Sequence, residues 1–197
     1  MYLKNMFRKT TVVITILLAV SLSSPLFIPS IQGATPFQGG TIADTPNGPH
    51  IALLRDGEYF KMLLKAIKGA EKEIEMAFFL FKTNGYRNNY PDILLHHLVK
   101  AAKRGVRIRV LLERGDNIDK SNRETALRLR KGGIDVSFDT PDITTHTKVI
   151  VIDGRYTFLG SHNLTASALK YNHELSLLID SPELARNALH YIDTLHQ

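Results

Sequence analysis

Beyond about residue 50 the apolar positions of the 197-residue chain recur at two alternating spacings. Tyr59, Met62, Leu63, Ala66 and Ile67 repeat at intervals of three and four, the spacing of one helix face, and predict a helix over 58–68. The largely apolar run 73–81 reads as a strand. Residues 91–103 read as a second helix, with Pro91 at its start and Gly105 just past its end, leading into a strand over 106–112. A third helix over 119–131 is stopped by Gly132-Gly133 before a strand over 134–138. Residues 147–152 are rich in β-branched side chains and 157–159 are apolar, with the turn dipeptide Asp153-Gly154 between them, so this stretch predicts a hairpin. A strand-like run over 172–179 follows, and Ser181-Pro182-Glu183 opens a last helix with Ser181 as its cap. Strands alternating with helices, plus one hairpin, make this an α/β chain: a mixed β-sheet flanked by helices on both faces.

The first fifty residues have a different character. Lys4, Arg8 and Lys9 precede an apolar run from Thr11 to Leu22, followed by Ser23, Ser24 and Pro25, the layout of a secretory signal. Residues 1–34 are therefore expected to be a signal peptide, with cleavage near Gly33-Ala34 and export as the consequence; the alternative is retention of 11–27 as a short membrane anchor. Residues 35–50, with Gly39-Gly40, Pro46 and Gly48, read as a linker or irregular lead-in, and 51–197 as one domain.

Composition and charge adjust this picture only slightly. A 44% hydrophobic content supports one sizeable core, and the absence of Cys removes disulfides and thiolate metal sites. The formal charge of +6 shrinks once the leader is set aside: without Lys4, Arg8 and Lys9 the 25 basic residues become 22, against 19 acidic. Two local clusters carry more meaning than the total: Lys100, Lys103, Arg104, Arg107 and Arg109, and then Arg123, Arg128, Arg130 and Lys131. Either suits a phosphate backbone, an anionic membrane surface or an ordinary solvated helix face.

The candidate chemistry sits in the hairpin. His146 and Lys148 stand two apart before the turn, and Gly160, Ser161 and Asn163 follow it. With Asp153-Gly154 as a two-residue loop, partners sum to 307 and His146 faces Ser161; with Gly154-Arg155 as the loop, they sum to 309 and Lys148 faces Ser161. Either register gathers the four polar side chains on one sheet face, and leaves Asp153 in the turn as a structural residue. A neutral imidazole attacks phosphorus or takes a proton near neutral pH, and Lys and Asn hold phosphate oxygens as charge spreads over them. A carboxylate at Glu174 is placed to hydrogen-bond the far ring nitrogen of His146 and fix its tautomer. His162 and His173 differ in parity from the neighbouring site residues and lack an acidic cluster, so no metal or cofactor is expected. Tyr86 and Tyr90 offer rings for base stacking, or for anchoring their own loop.

The run His-x-Lys-x4-Asp from His146 to Asp153, then Gly160-Ser161-x-Asn163 and a downstream Glu174, resembles the phospholipase D superfamily in the order and spacing of all four elements. The resemblance reaches from about residue 51 onward. It implies a phospholipase D-like fold, His146 as a nucleophile passing through a phosphohistidine, Lys148 and Asn163 as phosphate ligands, Ser161 as a supporting hydrogen bonder to the phosphate, Glu174 as the partner of His146, and Asp153 and Gly160 as structural parts of the motif. Many superfamily members carry two copies of the motif; this chain has one, since none of the other seven histidines is followed two places on by Lys. The resemblance thus implies a homodimer with the site on its two-fold axis. Three readings follow: an exported nuclease cutting DNA or RNA with little sequence preference, a phospholipase D acting on phospholipid head groups at a membrane, and a binding protein with a decayed site. The first is the expectation, and the third is disfavoured because every motif position is filled.

Overall fold

The structure is a computed structural model that describes residues 42–43, 48–115, 118–140 and 142–195. The leader and its anchor alternative lie outside these residues. In chain order the elements are β1 (Ile42–Ala43), β2 (His50–Arg55), α1 (Gly57–Gly69), β3 (Glu73–Phe78), α2 (Tyr90–Lys103), β4 (Arg107–Leu112), α3 (Asp119–Lys131), β5 (Asp135–Phe138), β6 (Lys148–Ile152), β7 (Tyr156–Gly160), α4 (Ala166–Lys170), β8 (Leu175–Asp180) and α5 (Pro182–Thr194). The strands form one mixed sheet in the order β1-β2-β8-β7-β6-β3-β4-β5. Strands β3, β4 and β5 run parallel, joined by the crossover helices α2 and α3; the remaining pairings are antiparallel.

Both faces of the sheet are covered, as the alternation of strands and helices predicts. On one face Tyr59, Leu63 and Ile67 of α1, Leu94 and Leu98 of α2 and Leu129 of α3 pack onto Ile74, Met76, Phe78, Val110, Ile150 and Phe158. On the other, Ala185 and Ile192 of α5 cover Ala77, Leu111 and Val151. Helix α5 starts where expected, with the Ser181 hydroxyl accepting from the Leu184 amide at 3.2 Å. Among the described residues no helix is long and apolar enough to cross a membrane.

Three features depart from the sequence-based expectations. The run 50–55, which carried no strand prediction, is β2 and pairs along its whole length with β8. Two pieces of the lead-in also join the sheet, Ile42–Ala43 as an edge strand and His50 opposite Asp180. The short helix α4 was not foreseen either; Thr165 caps it, accepting from the Ala168 amide at 3.1 Å.

The hairpin register needs a correction. Ile152 pairs with Tyr156 and Val149 with Leu159, so partners sum to 308 and three residues, not two, make the loop. Asp153 and Gly154 are both left-handed, with φ of 55° and 63°, and Arg155 is the added residue, its amide bonded to the Ile152 carbonyl at 3.1 Å. One residue of difference reverses parity, so the count carried on along the strand sets Lys148 opposite Gly160 rather than Ser161.

Asp153 earns its place in this turn through its carboxylate. It accepts from the amides of Lys72 at 2.8 Å, Glu73 at 3.1 Å and Glu71 at 3.1 Å, tying the hairpin tip to the chain entering β3. Gly160 serves a different need: a Cβ there would lie 2.5 Å from the Ser176 Cα and 2.6 Å from the Leu175 carbonyl, so only glycine lets β7 lie this close to β8. Replacing Asp153 by Ala is expected to lower the unfolding free energy by about 2 kcal/mol, from the loss of charge-assisted bonds to amides and an added left-handed strain. Asp153→Asn, which keeps one acceptor, is expected to cost less; urea denaturation of both variants checks this.

Candidate active site

The exits of β3, β4 and β7 and the entries of β6 and β8 meet at one end of the sheet, where Phe78 faces both Leu112 and Lys148 and Gly160 faces Ser176. Every sequence-predicted site residue except Asp153 lies at this end. His146 is exposed, two residues before β6, its ring set edge-on to Phe79 with centroids 4.5 Å apart. Lys148 opens β6 and is buried. Its Nζ donates to the His146 carbonyl at 2.9 Å and lies 5.0 Å from the centre of the Phe79 ring. Burial holds the Lys148 ammonium below its ordinary pKa, and the negative charge of Glu174 opposes that shift. A cation is thus kept in place beside an accessible imidazole.

The segment carrying His146 is fastened on both sides. Thr147 donates its hydroxyl to the Ala77 carbonyl at 3.1 Å and receives the Phe79 amide on its own carbonyl at 2.8 Å. On the other side the buried Thr145 amide donates to Asp139 Oδ2 at 3.2 Å and, by a shorter bond, to Glu113 Oε2. Burial raises the Glu113 pKa and the adjacent Asp139 raises it further, while the Thr145 amide opposes both. Asn122, fully buried in α3, ties the strand exits together: Oδ1 accepts from the Phe81 amide at 3.0 Å, and Nδ2 donates to the carbonyls of Phe79 at 2.9 Å and Glu113 at 2.8 Å. Sequence reasoning missed Glu113, Asp139 and Asn122. The one available signal is a pair of acids directly after two predicted strands, which the local pattern does not distinguish from surface charge.

The other half of the site comes from the chain leaving β7. The Ser161 hydroxyl donates to Glu174 Oε2 and accepts from the Leu175 amide at 3.1 Å, so its proton is committed to the carboxylate rather than free for a phosphate. Glu174 Oε1 accepts from Asn172 Nδ2 at 3.1 Å. The expected bond between Glu174 and the His146 ring is not present; Glu174 holds Ser161 and acts on Lys148 by charge. Asp56, another residue the sequence did not single out, fixes the Glu174 backbone in both directions, its carboxylate accepting the Glu174 amide at 2.9 Å and its own amide donating to the Glu174 carbonyl at 3.0 Å. Asn163 Oδ1 is buried and, among the described residues, has no hydrogen-bond partner. A half-turn of that amide puts its two N–H donors in the same place, so the side chain is the unspent polar group of the site.

His162 belongs to the framework. It is completely buried, Nδ1 lying 2.7 Å from Ser176 Oγ and Nε2 3.0 Å from the Asp56 carbonyl, with the ring stacked on Tyr59 at 4.3 Å. Burial depresses its pKa, and neither nitrogen is left for a ligand. His173 is exposed and lies 3.5 Å from Asp56 Oδ2.

Residues 63–196 match the family model described as cardiolipin synthase, PLD-like domain. The chain belongs to the phospholipase D superfamily. It is 33% identical to a phospholipase D of Rickettsia prowazekii (strain Madrid E) over 129 residues, 66% of this chain and 58% of that protein. It is 29% identical to the human mitochondrial cardiolipin hydrolase over 148 residues, 75% of this chain and 55% of that one. This superfamily member thus spans little more than half the length of these curated relatives. Among solved structures the fold is shared with the phospholipase D family member Nuc of Salmonella typhimurium, at a TM-score of 0.66 and 24% identity over 75% of this chain and 94% of that one. NucT of Helicobacter pylori shares it at a TM-score of 0.61 and 18% identity, over 75% and 96% of the two chains.

Because Glu113 binds its proton more tightly in the fold than when unfolded, its contribution to stability is present at low pH and is lost as pH rises from the ordinary carboxylate range through the raised value. Glu113→Gln keeps an acceptor for Thr145 without titrating. Its Tm, followed by circular dichroism from acid to neutral pH, is expected to fall less than that of the unaltered protein.

Proposed function

We propose that this phospholipase D superfamily protein is a metal-independent phosphodiester hydrolase, and that its substrate is DNA or RNA, cut with little sequence preference after export of the chain. The observation that carries the reading is the exposed imidazole of His146 next to the buried ammonium of Lys148. A ring nitrogen of His146 attacks phosphorus; the P–N bond forms as the ester P–O bond breaks, and the leaving oxygen takes a proton. Water then attacks the phosphohistidine, and P–N cleavage restores the imidazole. Lys148 and an Asn163 N–H neutralise the charge gathering on the phosphate oxygens, the work a metal does elsewhere. Glu174 and Ser161 position this half of the site and support the charge of Lys148.

One His146 per chain leaves the leaving-group proton unsupplied, and a second copy provides it, the partner's His146 acting as general acid. An apolar patch supports such pairing. Leu53, Leu177 and Leu159 lie side by side across β2, β8 and β7 on the face that carries α5, with Leu175 beside them at the site end of the sheet. Leu159 is 37% and Leu175 51% exposed. An exposed His146 suits a diester in a polymer backbone, which has to be reached from the side. The basic clusters support it less than their composition suggests, because six of the nine cations are spent on the protein itself. Arg104 and Arg130 donate to carbonyls, and Arg107, Arg109, Arg123 and Arg128 pair with carboxylates. A second reading, hydrolysis of phospholipid head-group esters, is favoured by the names of the two curated relatives.

The purified protein, assayed in EDTA on plasmid DNA, single-stranded RNA and phosphatidylcholine vesicles, is expected to cleave nucleic acid, and His146→Ala to reduce turnover to background while remaining folded. Head-group release alone would establish the second reading, and loss of all activity on chelation would end the metal-free mechanism. Leu159→Glu combined with Leu175→Glu is expected to sediment as a monomer and to lose activity with the fold intact.

A further inference from the structure

Beside the site lies a cleft of about 210 Å3 between the loop that follows β3 and the end of α4. Its lining includes Asn84, Asn88, Tyr86, Tyr90, Lys170 and Tyr171. We propose that this cleft is a subsite for a base of single-stranded nucleic acid next to the scissile phosphate, with Tyr86 and Tyr171 as its stacking faces and Lys170 as the contact to the neighbouring phosphate. The proposal rests on the phosphodiesterase reading above and names the part of the substrate that reading leaves open.

The rings of the cleft divide into an anchor and two exposed rings. Tyr90 is stacked on Phe60 with centroids 4.1 Å apart and belongs to the core edge. Tyr86 is 69% and Tyr171 71% exposed, so neither ring is held there by burial. Lys170 bridges the two kinds, its ammonium 5.8 Å from the Tyr90 centroid and 5.0 Å from that of Tyr171. The loop presenting Tyr86 is built to hold its shape without that ring. Asp92 accepts from the amides of Asn84 at 3.0 Å and Gly85 at 2.8 Å and from Asn89 Nδ2 at 2.5 Å, and pairs with Arg128 at 3.3 Å. Gly85, at φ 87°, supplies the left-handed turn that lets both amides reach one carboxylate. A preorganised loop that leaves an aromatic ring in water forms a stacking platform at little entropic cost.

Position and chemistry select the ligand. Asn163, the unspent phosphate ligand, is three residues from Ala166, which lines the cleft, so the two Cα atoms are at most about 11 Å apart along the chain. The strand exit on the far wall is tied to the same segment, the Leu164 amide donating to Leu80 and the Lys82 amide to Leu164, both at 3.0 Å. A phosphate bound by Asn163 therefore has its adjacent nucleoside within reach of the cleft. The volume is below the roughly 300–1,000 Å3 of sites for drug-sized ligands and fits one flat ring. Side-chain amides for base edges and a cation for phosphate accompany the tyrosines, and sequence-tolerant stacking agrees with low sequence preference. Tyrosine rings with a lysine also suit a membrane interface, which the vesicle arm of the test separates from base stacking.

Binding of a labelled oligothymidylate to full-length protein carrying His146→Ala, read by fluorescence anisotropy, tests this without cleavage. Adding Tyr86→Ala and Tyr171→Ala is expected to raise Kd about tenfold or more, adding Tyr86→Leu and Tyr171→Leu to raise it similarly, and adding Tyr86→Phe and Tyr171→Phe to leave it nearly unchanged. Circular dichroism verifies that each variant is folded. An unchanged Kd in both the Ala and Leu variants overturns the proposal. So does a loss confined to binding of phosphatidylcholine or cardiolipin vesicles, which would make the rings a membrane contact. Turnover of bis(p-nitrophenyl) phosphate by the unaltered protein reports on the phosphodiesterase reading separately: its absence with ring-dependent oligonucleotide binding would sink the reaction and keep the cleft, and the reverse result would sink the cleft alone.

Discussion

The Asp153 carboxylate, gripping three successive amides at the entry to β3, is the interaction on which the placement of the chemistry depends. Strands β3 and β6 are antiparallel, so a fixed point at one end of the pair dictates what lies at the other. With the hairpin tip anchored at 71–73, the ladder runs out with Lys148 opposite Phe78, and His146 lies just past the sheet on an exposed stretch. A slip of one residue would turn the Lys148 side chain to the α5 face. The Asp of the motif thus acts at a distance, through register, and needs no contact with substrate to be indispensable to the motif.

Behind the exposed imidazole the protein is polar and buried rather than apolar. Asn122, Glu113, Asp139 and Thr145 form a connected set of hydrogen bonds that fixes the exits of β3 and β4 and the loop leading to His146. Buried polar groups are costly unless each is satisfied, and a set that is satisfied has few alternative arrangements. Rigidity is therefore placed at the backbone of residues 145 and 147, while the side chain between them faces solvent. On the opposite side Asn163 is left with an unspent acceptor, the reverse situation, and unspent polar groups at a rigid site are where a ligand is met.

Helices α1, α2, α3 and α5 and strands β3 to β5 were legible because their apolar spacing, flanking Gly and Pro and Ser cap are local signals. Strand β2 was not: its pairing partner is β8, more than a hundred residues away, and a four-residue apolar run next to a helix has no period of its own. The hairpin was legible as a hairpin but not in its register, since Asp-Gly suits a two-residue loop and the inclusion of Arg155 is decided by its pairing with Asp180 on β8, at 2.6 and 2.8 Å. Of the candidate site, His146, Lys148, Asn163, Ser161 and Glu174 were readable from their spacing. Their bonding was not, because the Ser161–Glu174 contact depends on the path of the chain after the ladder ends at Gly160. The supporting residues Asp56, Glu113, Asn122 and Asp139 bond chiefly to backbone groups of distant segments, and nothing in their neighbours in sequence announces that.

The link from Asp56 to Glu174 joins segments 118 residues apart in the chain. The first long strand of the domain cannot complete its pairing until β8 exists, although the parallel half of the sheet, β3 to β5, is assembled from neighbours in sequence. Contacts of such long separation are slow to close, because the loop entropy is paid before they return anything. During synthesis His146 and Lys148 therefore emerge before Glu174, as an imidazole and a cation on a finished hairpin, and the carboxylate whose charge acts on Lys148 follows. A chain interrupted before β8 holds the His146 imidazole and the Lys148 cation without the Glu174 carboxylate fixed near them, so this end of the sheet is complete only once β2 and β8 have paired.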